Sequence, residues 1–215
     1  MKQTSKKSSP LATWLVLLLI IFTIGGVINS HSGEPDRNKR DRFENVKDYQ
    51  PMIEKILAKH DLEKYTPVIL ALMQQESRGK GGDPMQASES AGLAPGSIDN
   101  PRKSIRQGIQ HFQSILERGK RRQVDFSTIM QAYNFGPGYI DYVAKHGGEH
   151  SEALAKKFSM MQVKRKPELY DCGGDKSNFR YPYCYGDFTY STKVNRYIES
   201  LEKSTPVNAS PEAAN

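Results

Sequence analysis

The sequence has few of the residues that build metal sites or disulfide frameworks. Its 215 residues include only two cysteines, Cys172 and Cys184, and five scattered histidines. No CxxC motif and no Cys/His cluster with metal-ligand spacing is present, so we expect no metal ion and no cofactor. Zinc-finger, basic-zipper and RNA-binding signatures are also missing, and a net charge of +7 is too small to indicate a nucleic-acid partner by itself. The mildly basic balance suits an anionic partner.

A long apolar run near the N-terminus predicts the cellular location. Residues 11–28 read LATWLVLLLIIFTIGGVI, carry no charge, and follow a segment that contains three lysines. A run of this length just spans the hydrocarbon core of a bilayer, and preceding lysines favour a cytoplasmic N-terminus. We therefore predict a cytoplasmic tail at 1–10 and a single transmembrane signal anchor at 11–28, with the rest of the chain extracytoplasmic. Cleavage of a signal peptide, which would leave a secreted or cell-surface protein, is the alternative.

The remainder divides into a stalk, one domain and a short tail. Residues 29–44 are polar and charged, which predicts a stalk, and residues 204–215 have the composition of a disordered tail. Apolar residues at helical spacing predict a single, mainly α domain over 45–203. The predicted helices cover 46–60, 68–77, 101–118, 126–135, 139–145, 151–164 and 190–201.

One predicted helix is apolar on nearly all sides, which places it in the centre of the domain. Thr66 and Pro67 supply an N-cap and a first-turn proline, and VILALMQQES follows at 68–77. Glu76 lies at the C-terminal end of this helix, on the same face as Leu72.

The predicted surroundings of Glu76 favour the protonated form of its carboxyl group. Burial disfavours the charged carboxylate, and the partial negative charge of the helix C-terminus acts in the same direction, so both raise the pKa. Cleavage of a glycosidic bond needs such an acid, because the leaving oxygen must be protonated. A solvated glutamate in the last helical turn is the alternative.

Two further segments carry polar groups suited to a sugar. The loop after Glu76 reads DPMQASES and contains Asp83, Gln86, Ser88 and Glu89. Tyr133 and Asn134 end a later helix, just before Gly136-Pro137-Gly138. Tyrosine stacks on sugar rings and asparagine bonds hydroxyl or acetamide groups. Taken one at a time, an ordinary polar connection, a core aromatic residue and a C-cap asparagine are the alternatives.

Together these segments resemble a known family. Gln75-Glu76-Ser77, Gly82-Asp83-Pro84-Met85-Gln86-Ala87-Ser88-Glu89-Ser90 and Gln131-Ala132-Tyr133-Asn134-Phe135-Gly136 occur in the order found in the goose-type lysozyme and soluble lytic transglycosylase group. The closer resemblance is to the CwlT-like lysozyme domains, which include pneumococcal vaccine antigen A-like surface proteins, and it covers roughly residues 46–201. Asp83-Pro84 stands where the transglycosylases have Gly-Leu, which favours the CwlT-like branch. No NlpC/P60 peptidase domain follows, so a second activity is not expected.

The resemblance implies a lysozyme-like α fold that cuts the β-1,4 bond after N-acetylmuramic acid in peptidoglycan. It implies that Glu76 is the general acid and that Gln86 lines the glycan cleft. It also implies that Tyr133 and Asn134 touch the sugar, with Tyr190 as a cleft tyrosine. Ser77, Ser88 and Glu89 are the other candidate substrate contacts.

Three functions stay open at this stage. A muramidase would use Glu76 as the acid and a second carboxylate, Asp83 or Glu89, to position water. A lytic transglycosylase needs only Glu76 and forms an anhydro product. A surface protein that binds peptidoglycan without cutting it is the third.

The cysteines and the basic runs complete the predictions. Export would place Cys172 and Cys184 in an oxidising compartment, where a disulfide between them would stabilise the fold by about 3 kcal/mol; two reduced thiols are the alternative. The runs around 118–122 and 164–166 suit either phosphate-bearing wall polymers or plain solvent exposure.

Overall fold

The computed structural model describes residues 41–204, and these contain eight α-helices and no strand. The mainly helical class is therefore confirmed for this part of the chain. We number the helices in chain order: α1 Glu44–Lys47, α2 Gln50–Leu57, α3 Thr66–Glu76, α4 Pro101–Arg122, α5 Phe126–Phe135, α6 Gly138–Ala144, α7 Glu152–Arg165 and α8 Tyr190–Ser204. Short 3₁₀ turns lie at Ala58–His60, Glu63–Tyr65, Glu89–Ala91 and Cys172–Gly174.

The predicted transmembrane segment at 11–28 lies outside the described residues, as do the tails at 1–10 and 205–215 and most of the stalk. Between residues 41 and 204, no helix is both long enough and apolar enough to cross a bilayer. The stalk was predicted to extend to residue 44, but Phe43 is buried, and its ring meets Tyr197 of α8 at a centroid distance of 6.0 Å. The packed domain therefore begins slightly earlier than predicted.

Helix α3 occupies the centre of the domain, as predicted. Every residue from Val68 to Gln74 is buried, and Leu72 and Met73 have no exposed surface. Helix α8 packs along α3, while α2 covers another side. Thr66 does not cap α3: it is the first helical residue, and its hydroxyl donates to the carbonyl of Glu63. An all-round apolar helix needs neighbours on every side, which explains its central position.

Helix α4 is the longest, and it extends one turn beyond its predicted end. Its buried stripe includes Ile105, Ile109 and Phe112, and Asn100 caps its N-terminus by accepting from the amide of Lys103. The final turn can pack against α5 because Gly119 is buried and has no side chain that would overlap Ile129. Most of the basic run at 118–122 therefore belongs to the exposed side of the helix end, where Lys120, Arg121 and Arg122 lie.

Helices α5 and α8 pack against each other and connect parts of the domain that are distant in the sequence. Helix α5 packs against α4, α6 and α8. The irregular segment between α7 and α8 contains the disulfide between Cys172 and Cys184. Its last residues, 185–190, lie between the C-terminal end of α5 and the start of α8. This arrangement sets the position of every side chain described below.

Candidate active site

Glu76 ends α3 in a partly buried position, because the helix that carries it is enclosed on all sides. Burial is the main cause that raises the pKa of its carboxyl group from 4.5 to about 7. A hydrogen bond from Tyr190 lowers that pKa, and the negative charge of Asp83 raises it. The predicted direction of the shift is therefore present in the structure. A pKa in this range allows the carboxyl group to hold a proton at a pH where an ordinary glutamate is ionised.

Two tyrosines enclose Glu76. The hydroxyl of Tyr190 donates to Glu76 Oε1 at 2.5 Å, and the Tyr190 side chain is only 2% exposed. The ring of Tyr133 lies nearly parallel to that of Tyr190, with an interplanar angle of 10° and a centroid distance of 6.5 Å. Burial, followed by the charge of Glu76, holds the pKa of both hydroxyls far above the ordinary value of tyrosine. Both tyrosines are therefore neutral donors at any working pH.

Asp83 organises the loop that follows α3. Its Oδ1 accepts from the amide of Ala87 at 2.8 Å and from Ser104 Oγ at 2.7 Å. Its Oδ2 accepts from the amide and the hydroxyl of Ser88 at 3.1 and 2.6 Å. Burial alone would raise the pKa of Asp83, but these four hydrogen bonds outweigh burial and lower it. Asp83 is thus a buried, charged anchor that ties the loop to α4.

The hydroxyls of Ser88 and Ser77 are engaged within the protein. Ser88 is 1% exposed; it donates to Asp83 and accepts from the amide of Ile98 at 3.0 Å. These contacts hold its hydroxyl inside the protein, whereas the sequence predicted a substrate contact. Ser77 Oγ donates to the carbonyl of Pro84 at 2.7 Å and accepts from the amide of Lys80. This bond fixes the loop against the end of α3.

Gln86 and Glu89 are exposed polar residues of this loop. Gln86 has a φ of +47°, and its Nε2 donates to the carbonyl of Asp83 at 3.0 Å, which leaves Oε1 for another donor. Glu89 begins a 3₁₀ turn and makes no hydrogen bond to Glu76. Burial, Tyr170 and Glu89, in that order, raise the pKa of Tyr185. The negative charge of Glu89 therefore affects the pKa of Tyr185, on the segment before α8, and is not among the main causes that shift the pKa of Glu76.

Asn134 joins the end of α5 to that same segment. Its side chain is exposed, and its Oδ1 accepts from the amide of Asp187 at 2.8 Å. Gly186 packs against this contact at a φ of +60°, and a Cβ there would overlap Asn134 and the ring of Phe135. The Nδ2 group of Asn134 is thus held at the surface beside Tyr133, where it is available to an acceptor on a ligand.

Several positioning residues were not recognised in the sequence. Gln131 is fully buried; its Nε2 donates to the carbonyl of Asp187 at 2.7 Å, and its Oε1 accepts from the amide of Ser191 at 3.1 Å. His111 of α4 lies against Tyr133, with Nε2 3.3 Å from the Tyr133 carbonyl oxygen. Gln131 stands in the quoted Gln-Ala-Tyr-Asn motif, so its position was visible, but its long-range partners were not.

The domain has two grooves away from Glu76. Two grooves of about 830 and 630 Å³ lie on α7 and beside α2, and neither is lined by Glu76. The burial of Glu76 thus comes from the packing of its own helix and of Tyr190, not from either of these grooves. Within residues 41–204, no three His, Cys, Asp or Glu side chains are grouped so as to hold a metal ion.

Comparisons with known proteins agree with this architecture. Residues 43–198 match the model of the lysozyme-like family. The chain is 52% identical over 165 residues to a Bacillus subtilis protein named uncharacterized membrane protein YocA, covering 77% of this chain and 73% of that one. It is 44% identical to pneumococcal vaccine antigen A of Streptococcus pneumoniae, covering 71% of this chain and 80% of that one.

Two longer proteins match over part of their length. The Bacillus subtilis bifunctional muramidase/DL-endopeptidase CwlT is 38% identical, with 77% of this chain aligned to 45% of CwlT. A crystal structure of a lipoprotein-like protein of the NLP/P60 family from Staphylococcus aureus superposes with a TM-score of 0.62 at 33% identity, covering 72% of this chain and 52% of that one. The predicted family is therefore confirmed: the chain belongs to the lysozyme-like family, with pneumococcal vaccine antigen A and CwlT among its relatives.

Proposed function

We propose that this protein cleaves the glycan strands of peptidoglycan at the β-1,4 bond between N-acetylmuramic acid and N-acetylglucosamine, with Glu76 as the general acid. The observation that carries the proposal is the carboxyl group of Glu76, which is partly buried at the end of α3 and has a pKa near 7. The name of the relative CwlT includes muramidase, which supports the same chemistry.

The hydrogen bond from Tyr190 assigns separate tasks to the two carboxyl oxygens. Because Tyr190 donates to Oε1, the acidic proton is carried on Oε2. Glu76 gives this proton to the bridging oxygen while the bond between that oxygen and the anomeric carbon breaks, which leaves an oxocarbenium-like sugar and a carboxylate. Tyr190 then stabilises the new carboxylate, since a hydrogen bond to the charged form favours it.

Exposed groups of the loop after α3 and of the end of α5 suit the binding of a sugar chain. Gln86 Oε1 and Asn134 Nδ2 offer an acceptor and a donor for hydroxyl and acetamide groups. The partly buried ring of Tyr133 offers an apolar face. Glu89 is a further exposed polar residue of the loop.

The fate of the oxocarbenium-like sugar separates two candidate reactions. Hydrolysis adds water, and a two-carboxylate scheme needs a second carboxylate to activate that water. Both oxygens of Asp83 are already engaged, since each accepts two hydrogen bonds from the protein. These contacts favour lytic transglycosylation as the second candidate. In that reaction the Glu76 carboxylate takes the proton of the muramic acid 6-hydroxyl, whose oxygen bonds to the anomeric carbon.

Digestion of purified peptidoglycan tests both candidates. We expect soluble muropeptides from the native chain and none from Glu76→Gln, because glutamine has no proton to donate. Products with a reducing muramic acid end identify hydrolysis, and products lighter by one water identify transglycosylation. Glu117→Gln, at an exposed position on α4, is the matched control and should retain activity. Full wall-cutting activity in Glu76→Gln would refute the role of Glu76, and an absence of soluble muropeptides from the native chain would leave binding without cleavage as the function of the domain.

We further propose that residues 11–28 anchor the domain outside the cytoplasm. The apolar run and its preceding lysines support this, as does the name of the relative YocA, a membrane protein. Fractionation of cells followed by protease treatment of intact protoplasts tests it. Cleavage of the domain from outside, with the N-terminus retained in the membrane fraction, is the expected result.

A further inference from the structure

A groove on the side of α7 has no part in the proposed glycan site. It has a volume of about 830 Å³ and is lined by one face of α7 together with Tyr183 of the disulfide-containing segment. Its lining includes four basic residues, Lys156, Lys157, Lys164 and Arg165, and no acidic residue. We call this surface the α7 groove.

The positive charges of the α7 groove are not neutralised by the domain. Within residues 41–204, none of these four side chains has a carboxylate oxygen within 4 Å, whereas Arg118 and Arg122 pair with Asp141. The ammonium group of Lys156 lies 4.6 Å from the ring centre of Phe188, so aromatic rings hold it in place. The groove therefore presents four cations to a ligand.

The order of residues along α7 gives the groove two parallel rows. One row runs Lys156, Met160, Lys164, and the other runs Lys157, Met161, Arg165. In each row the two cations stand eight residues apart, about 12 Å along a helix axis, with a methionine between them. A ligand that fits both rows has anionic groups at intervals, separated by neutral linkers that pack on the methionines.

The shape and the chemistry of the groove select among anionic ligands. A concave surface cannot lie flat against a bilayer, but it can hold an extended chain. Three of the four cations are lysines, which act as point charges and suit phosphate, whereas recognition of carboxylates favours the planar fork of arginine. We propose that the α7 groove binds a polyanionic chain of phosphodiester-linked polyols, such as occurs in cell walls, and so retains the protein on the wall independently of glycan cleavage.

Binding to purified walls tests this proposal. The full chain, kept in neutral detergent micelles and carrying Glu76→Gln so that walls stay intact, is sedimented with walls that retain their phosphodiester polymers or have lost them to hydrofluoric acid. We expect binding to the stripped walls to be weaker by about tenfold or more, because these walls have lost the phosphates that the four cations would meet. Equal binding to both walls would overturn the proposal.

Charge-reversed variants locate the site. Lys157→Glu/Arg165→Glu should remove the preference for polymer-bearing walls, because both exposed side chains line the groove. Arg102→Glu/Arg106→Glu makes the same change of net charge at exposed positions on α4 and should keep the preference. Equal losses in the two variants would indicate general electrostatic attraction and defeat the proposal. So would displacement from the walls when phosphatidylglycerol is added to the micelles, which would assign the groove to lipid.

Discussion

Two opposing influences act on the carboxyl group of Glu76, and the balance between them determines the pH range of the proposed reaction. Burial raises its pKa, while the hydroxyl of Tyr190 donates to Oε1 and lowers it. A general acid is active only while it holds its proton. The proposed activity should therefore fall as the pH rises through about 7, and Tyr190 determines in part where this fall occurs.

Replacement of Tyr190 by phenylalanine should move this alkaline limit upward. The substitution removes the hydrogen bond that stabilises the Glu76 carboxylate, so the pKa of Glu76 rises and its proton is kept to higher pH. The pH dependence of kcat/KM on solubilised glycan measures the shift. Tyr197→Phe, on the same helix but packed against Phe43, should leave the profile unchanged. A lower or unmoved limit in Tyr190→Phe would contradict this role.

The raised pKa of Glu76 also predicts how stability depends on pH. The folded state holds this proton between pH 4.5 and about 7, where the unfolded chain releases it. The contribution of Glu76 to stability is therefore fully present below pH 4.5 and is lost as the pH rises to about 7, a loss of roughly 3 kcal/mol.

Glu76→Gln removes this titration and should be the more stable protein at pH 8 by up to roughly 3 kcal/mol. The advantage should disappear at pH 4. Urea unfolding followed by circular dichroism at both pH values measures it. Glu89→Gln changes an exposed carboxyl group and should show no such difference. A constant offset between Glu76→Gln and the native chain at both pH values would mean that the carboxyl group is not buried in solution.

At the scale of single residues, the candidate acid could be predicted from the sequence, but the hydrogen-bond partners of the residues in the loop after α3 could not. Glu76 could be predicted because a residue at the end of a buried, apolar helix is itself partly buried. From the sequence, Asp83 and Glu89 were equal candidates for the second carboxylate. Asp83, however, bonds Ser104, which lies 21 residues later. Hydrogen bonds between residues so far apart leave no periodic pattern, and for the same reason the bond between Ser88 and the amide of Ile98 could not be predicted.

Between the helices, Gln131 is the main link that determines where α8 begins. Its buried amide accepts from the amide of Ser191 and donates to the carbonyl of Asp187, so it spans the turn that contains Tyr190. Asp187 completes this turn by accepting from the amide and hydroxyl of Thr189 and by pairing with Lys193 at 2.6 Å. Tyr190 can reach Glu76 only while this turn keeps its shape.

Gln131→Met should therefore mimic the loss of the Tyr190 hydroxyl. Methionine has a similar volume but can form neither hydrogen bond, and the buried Ser191 amide would lose its partner at a cost of about 1–3 kcal/mol. We expect a reduced kcat and an alkaline limit displaced in the same direction as in Tyr190→Phe. Gln110→Met, on the exposed side of α4, is the matched control.

A double variant distinguishes positioning from a general loss of stability. If Gln131 acts through Tyr190, Gln131→Met/Tyr190→Phe should show no further displacement of the alkaline limit beyond that of Tyr190→Phe alone. Additive displacements would mean that Gln131 affects Glu76 by another route. An unchanged pH profile with lowered stability in Gln131→Met would show that the residue is only structural.

The helices themselves were largely predictable, because the stripes of α4 and α8 repeat with helical spacing. The ends were less so. The first predicted helix, 46–60, is instead two helices and a 3₁₀ turn, with a break at Tyr49 before Pro51. Helix α4 runs to Arg122 rather than 118 because Gly119 lies against Ile129, a contact that only tertiary packing reveals. Local pattern determines helix type, while packing between helices determines where each one ends.

Across the whole domain, the candidate site forms only when distant parts of the chain meet. Glu76 and Tyr190 are 114 residues apart, and the segment that leads into Tyr190 has little regular structure of its own. The disulfide between Cys172 and Cys184 closes part of that segment. Arg180, inside the closed loop, donates to the carbonyl of Gly186, and Tyr185, just after it, donates to the carbonyl of Phe135.

Loss of the disulfide should therefore weaken the site before it unfolds the domain. In the loop-entropy model, Cys172→Ser/Cys184→Ser lowers the free energy of unfolding by about 3 kcal/mol. The disulfide closes part of the irregular segment between α7 and α8, so the extra freedom falls first on residues 172–190. We expect glycan cleavage to be lost at a lower urea concentration than the helical circular dichroism signal, whereas in the native chain the two losses coincide more closely.

Reduction of the native chain should reproduce this separation, and the same reductant should leave Cys172→Ser/Cys184→Ser unaffected. Coincident losses of activity and helix signal in the double serine variant would show that the segment before α8 is held by its contacts with α5 alone. The bonds of Asn134 and Gln131 to Asp187 would then be sufficient to place Tyr190 on Glu76. The separation is expected because those bonds fix only the last residues of the segment, and the disulfide restrains the chain that precedes them.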